Sequence, residues 1–262
     1  MIDGREDQAA GLRRLFRKAP PTVVALFSTG HAAARTAAQA IGRIGGQAHR
    51  VLVLDEAAGA ASLADCWGHA PGGDLLHVLD DRQTLDGLVL PVPGLMGRLP
   101  TAAVAMALPL LDDERRDRLL THLQRLQRRT RFMVIHASAQ ALDPVSPFVF
   151  AAPRHLVLAE ASGRGATEAY ACIKALAMQG AGSLHVAVAR ARDRADARAF
   201  FERLAALVRA RVGIPLAWVG QVEHDDLAGP LLHHAALPQE AEAAFLRRLH
   251  GWRTLRSPAS AA

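Results

Sequence analysis

After the apolar run VVALF, residues 28–36 read STGHAAART, and three residue types there could serve phosphate chemistry. Gly30 can turn a backbone amide inward, Arg35 carries positive charge, and Thr36 offers a hydroxyl. At a strand-to-helix turn these are the materials of a phosphate cradle with a magnesium ligand. The turn lacks a glycine run, because His31 and Ala32, Ala33 and Ala34 occupy it. A left-handed backbone at an alanine costs about 1–2 kcal/mol. Arg35 supplies charge without the compact ammonium of a lysine. By itself the stretch reads as an ordinary strand-to-helix turn rather than a phosphate site.

Other reactive side chains make weaker constellations. His233 and His234 are adjacent and so point to different helix faces, and His224, Asp225 and Asp226 form a loop cluster. Neither has zinc-site spacing, so no metal is expected. Ser28, Ser138 and Ser162 lie near strand ends, but none sits in a G-x-S-x-G elbow. Cys66 and Cys172 are too few and too isolated for a disulfide framework or a C-x-x-C site.

The elements that would position the turn are legible from periodicity. Segments 22–28, 50–55, 131–137, 155–160, 184–190 and 216–222 are short, near-continuous apolar runs. Such runs are expected of strands buried on both faces of a parallel sheet. Helical patterns separate them at 33–44, roughly 112–128, 164–179 and 194–211. The stretch DDERRDRLLTHLQRLQRR begins with acids and ends with arginines, as the helix dipole favours. Region 69–100 is less regular and reads as short helices near 74–79 and 83–87, then a loop. The alternation predicts an α/β fold with a doubly wound, mostly parallel sheet.

At 262 residues, half of them hydrophobic, the chain suits one such domain with tails. The net charge of +6 comes from arginine, since only Lys18 and Lys174 are lysines. Charge alone is a thin basis for nucleic-acid binding, and none is expected. The polar start MIDGREDQ is no signal peptide, and no apolar run reaches membrane-span length. A cytoplasmic protein is expected.

Both tails carry amphipathic patterns. Placed on a helix, residues 6–17 put Leu12, Leu15 and Phe16 on one face, with Gln8 a turn above and Arg13, Arg14 and Arg17 around it. In 239–256, Phe245, Leu249 and Trp252 share a stripe opposite arginines, a pattern suited to anionic lipid or to the domain's own core.

Across almost the whole chain, the ordered set DQAAGLRRLF, VVALFSTGHAAART, RVLVLDEAAG, RFMVIHASA and TEAYACIKAL resembles the FlhG family, also called FleN or YlxH. These are MinD/ParA-type deviant Walker A proteins with a P-loop NTPase fold that regulate flagellar number and placement. The resemblance implies an N-terminal activator helix with linker (1–21), a MinD-like α/β domain (22–238) and a C-terminal amphipathic helix with tail (239–262). Against the family's KGGVGKT loop, Gly30 stands at the signature lysine, Ala34 at the last glycine and Arg35 at the Walker lysine; only Thr36 matches. Asp55 matches the first acid of the family's Asp-x-Asp, and Ala57 replaces the second, which orients attacking water. His136 replaces a magnesium-side aspartate, and Ala189 an adenine-reading asparagine. With these groups lost together, little electrostatic stabilisation of phosphoryl transfer is left, so neither ATPase activity nor a cofactor is expected.

What the resemblance implies instead is action on a partner. The family's DQA-x-x-LR element binds FlhF, a signal-recognition-type GTPase, and stimulates its GTP hydrolysis. Here that implies a catalytic role in trans for Gln8, with Asp7, Leu12, Arg13 and Phe16 in the contact. Flagellar regulators, C-ring proteins and a homodimer are further implied partners. Family members also place a C-terminal helix at the membrane, which implies lipid contact through Phe245, Leu249 and Trp252. The alternative is an active MinD-like enzyme that binds ATP and magnesium, dimerises and associates with the membrane.

Overall fold

The computed structural model describes residues 21–48, 50–70, 72–140, 142, 145–181, 183–233 and 239–252. Asp7, Gln8, Leu12, Arg13 and Phe16 lie outside the described residues, so the activator helix is not placed.

Among the described residues, seven strands form one sheet: β1 (Thr22–Ser28), β2 (Val51–Asp55), β3 (Gly97–Pro100), β4 (Phe132–His136), β5 (Arg154–Glu160), β6 (Ser183–Ala189) and β7 (Ala217–Gln221). Their order is β3-β2-β4-β1-β5-β6-β7, and every pairing is parallel. This is the doubly wound sheet that the apolar runs predict, with β1 at its centre. Strands β1, β2, β4 and β5 are buried along their whole length. Alternate residues feed two cores, Val23, Ala25 and Phe27 entering one and Val24 and Leu26 the other.

On the second face lie α1 (Ala33–Ala48), through Ile41 and Ile44, and α9 (Ala228–His233), through Leu231. The first face is covered by α2 (Leu75–Leu79), α3 (Leu85–Leu88), α4 (Ala102–Ala107), α5 (Asp113–Arg129), α6 (Pro147–Ala151), α7 (Gly163–Met178), α8 (Arg194–Val212) and α10 (Gln239–His250). Local chemistry starts the long helices. Asp112 accepts from the Arg115 amide at the head of α5, and Ser162 accepts from the Gly165 amide at the head of α7.

Two elements depart from expectation. Edge strand β3 falls where the sequence reads as loop, because GRLP has neither alternation nor β-branched residues. Pairing with β2 makes it a strand, and Gly97, at φ +150°, permits a close approach; a Cβ there would meet the Leu90 carbonyl at 2.7 Å. The C-terminal stripe is corrected in direction. Phe245 and Leu249 are buried, and α10 packs against α5, α6 and β1, with Trp252 half-buried against the same core. These apolar side chains cover the protein's own interior and are not presented to lipid. Among the described residues, no helix is long and apolar enough to cross a membrane.

Candidate functional site

The turn STGHAAART lies where β1 ends and α1 begins, at the carboxyl edge of the sheet, where doubly wound proteins place ligands. An open cleft of about 950 Å³ adjoins it, lined by Gly30, His31, Arg35, Cys66, His136, Glu168 and several alanines. Of the residues expected to serve phosphate, Gly30 and exposed Arg35 border this cleft. Thr36 is 4% exposed, is not among the lining residues, and its amide is spent on the Ala32 carbonyl.

The backbone of the turn is already engaged. Gly30 adopts φ +90°, which a glycine takes without strain. The Gly30 amide donates to Glu168 Oε2 at 2.7 Å, and the His31 amide to Glu160 Oε2 at 3.2 Å. Thr29 Oγ1 faces the Leu158 and Gly165 carbonyls at 3.2 and 3.3 Å, tying the turn to β5 and α7. Glu160 is buried at the end of β5 and accepts from Ser162 Oγ at 3.0 Å. Glu168, on α7, also accepts from Arg164 Nε at 2.7 Å. The Gly30 amide, then Arg164, holds the Glu168 carboxyl below its usual range.

Asp55 ends β2 beneath the cleft, buried to 1% exposure. One oxygen is 2.8 Å from His136 Nδ1. The other accepts from Arg98 Nε at 2.7 Å, Ser62 Oγ at 2.9 Å and the Leu63 amide at 3.0 Å. Burial pushes this carboxyl up, but the His136 bond and the charges of His136 and Arg98 outweigh it and hold the acid below its ordinary value. Parallel register supplies these partners: Asp55 pairs with His136 across β2 and β4, and β3 brings Arg98 alongside. Next in sequence, the Glu56 carboxyl accepts from Ser146 Oγ at 2.7 Å and is pushed up by burial to about 8.

Magnesium with a triphosphate would need amide donors at the turn and a carboxylate facing the cation. Both oxygens of Asp55 are committed to protein groups, and the amides of Gly30 and His31 to carboxylates. As arranged, these residues do not fit that group. Among the described residues, no cluster of three or more His, Cys, Asp or Glu side chains is placed to hold a metal ion.

The structure brings Gly30 and Arg35 together at the cleft and sets Asp55 behind it. Sequence reasoning missed Glu160, Glu168 and Arg98. Glu168 lies inside the quoted TEAYACIKAL motif and Glu160 closes a predicted strand, but nothing local tells that either reaches a turn more than 120 positions away.

No protein-family profile matches the chain, and no curated protein matches its sequence. Solved structures do match its shape. The MinD cell division protein of Aquifex aeolicus superposes with TM-score 0.53 at 14% identity, over 90% of this chain and 98% of that one. A ParA family ATPase from Chlorobium tepidum TLS gives 0.52 at 16% identity, over 89% and 99%. Cobyrinic acid a,c-diamide synthase from Mycobacterium smegmatis, solved with bound ADP and magnesium, gives 0.52 at 19% identity, over 92% and 100%. These likenesses show the fold, a doubly wound parallel sheet arranged as in the MinD and ParA family structures.

Proposed function

We propose that this protein is an FlhG-like regulator of flagellar number and placement that does not hydrolyse ATP and acts on an FlhF-type GTPase through its N-terminal DQA-x-x-LR element. The observation that carries the reading is the state of Asp55. A carboxylate serving magnesium must face the cation; this one is enclosed by His136, Arg98, Ser62 and the Leu63 amide. His136, a departure from the family pattern, stands where a second acid would repel Asp55, and it bonds to it. The scaffold keeps its shape with Asp55 turned inward, and the DQA-x-x-LR element is left as the working part. Gln8 there positions the water that attacks GTP on the partner, as glutamines do in other GTPases. Flagellar regulators or C-ring proteins are further partners under this reading.

The test is GTP hydrolysis by an FlhF-type GTPase with and without the full chain. Acceleration by the protein, and its loss in Gln8→Ala, is the expected result; no acceleration refutes the proposed role. One observation favours the second reading, a MinD-like ATPase: the cleft of about 950 Å³ beside the turn is large enough for a ligand. Micromolar binding of a fluorescent ATP analogue with phosphate release would establish that reading instead.

A further inference from the structure

We infer that Glu160 and Glu168 form an internal anion clamp, an autoinhibitory contact that occupies the phosphate turn and ties α7 to it without nucleotide. The inference deepens the proposed function and rests on it, because it accounts for how a chain that does not use ATP keeps the amides of the turn satisfied.

The two carboxylates are not local caps. Helix α7 has its own cap in Ser162, while Glu168 reaches from its second turn to an amide 138 positions away and Glu160 to one 129 positions away. They arrive from different elements, α7 and the end of β5, onto consecutive amides. Glu160 also takes the space beside Gly30: a Cβ there would lie 2.4 Å from Glu160 Oε2 and 2.7 Å from Glu160 Cβ. Any side chain at position 30 would thus collide with the clamp, and the positive φ adds a second reason for glycine.

Each carboxylate is itself braced. Arg164 Nε holds Glu168 at 2.7 Å and its Nη1 lies 3.5 Å from His31 Nδ1, while Arg190 Nε stands 3.9 Å from Glu160. The turn therefore has anionic oxygens on its donors and arginines behind them, the arrangement a bound phosphate would otherwise produce. An incoming phosphate must displace both carboxylates from their amides and then lie beside them as a like charge. The clamp excludes the anion and does its bridging work at once. Nucleotide cannot act as a switch here, and the recognition tip works constitutively.

The test combines amide hydrogen exchange and thermal shift on the full chain, with inorganic pyrophosphate as the probe. In the unliganded wild type the Gly30 and His31 amides are expected to be protected, and millimolar pyrophosphate is expected to change neither exchange nor melting temperature. In Glu160→Gln/Glu168→Gln those amides are expected to exchange about 10-fold faster or more, the loss set by charge-assisted bonds. Pyrophosphate then restores the protection. Unprotected amides in the wild type overturn the clamp, and that measurement needs no variant to fold. A folded double variant that gains no pyrophosphate response overturns the exclusion while leaving the ATPase-free reading intact. Wild type that binds pyrophosphate at the turn also overturns the clamp, and ATP turnover by wild type overturns the proposed function itself.

Discussion

Replacing Asp55 by asparagine separates a carboxylate kept for a cation from one spent on the fold. A carboxylate kept for an absent cation is an electrostatic liability, and its removal is neutral or stabilising. Asp55 is instead 1% exposed and 2.7 Å from a guanidinium that is itself 6% exposed. Breaking a buried pair by removing one partner costs about 3–5 kcal/mol, because the other charge is left uncompensated. Asparagine keeps one carbonyl for Arg98 or His136, which places the expected loss near the lower end, about 3 kcal/mol. For a domain near this size, that lowers the melting temperature by about 6–12 °C. Urea unfolding at pH 7 with an unchanged m-value measures the loss directly. Because the folded-state acid lies below its ordinary value of 3.8, its contribution is present above that pH and lost as pH falls through the lower folded value. The gap between wild type and Asp55→Asn should therefore close on acidification. A variant within about 0.5 kcal/mol of wild type at pH 7, the range of an ordinary surface substitution, would refute the account of Asp55 as a structural anion.

Three further outcomes are expected. Glu56, at about 8 against 4.5 when unfolded, contributes stability that is full below 4.5 and lost as pH rises through 8, so Glu56→Gln should flatten the decline in urea midpoint between those pH values. His155 is driven by burial to about 4 from 6.5; its contribution is present above 6.5 and lost as pH falls through 4, and His155→Gln should flatten the acid limb. Phe245→Ala should cost about 3–5 kcal/mol in thermal or urea unfolding and leave co-sedimentation with anionic vesicles unchanged, since the ring is buried in the core.

The fold was largely legible because its signals are local. Six buried strands announce themselves as apolar runs, and α5, α7 and α8 carry caps and periodicity within their own residues. β3 was not legible, since four residues with glycine and proline become a strand only through the neighbour they pair with. The C-terminal helix was half legible. Its apolar stripe could be read, but a stripe of Phe245 and Leu249 is equally suited to lipid and to protein, and only the packing of α10 on α5, α6 and β1 decides between them.

At the site the same division holds. Residue types alone set Gly30, Ala34, Arg35 and His136 apart from the nucleotide site of the family the chain resembles, while Thr36 and Asp55 match it, because a motif can be compared one position at a time. What these residues bind instead was decided only in three dimensions. Parallel register sets His136 beside Asp55, an unforeseen edge strand delivers Arg98 to it, and α7 carries Glu168 back to the Gly30 amide. Ion pairs and carboxylate–amide bonds across 43 to 138 positions leave no periodic trace in a chain, since they depend on how strands are ordered in the sheet and not on what lies next to them in sequence.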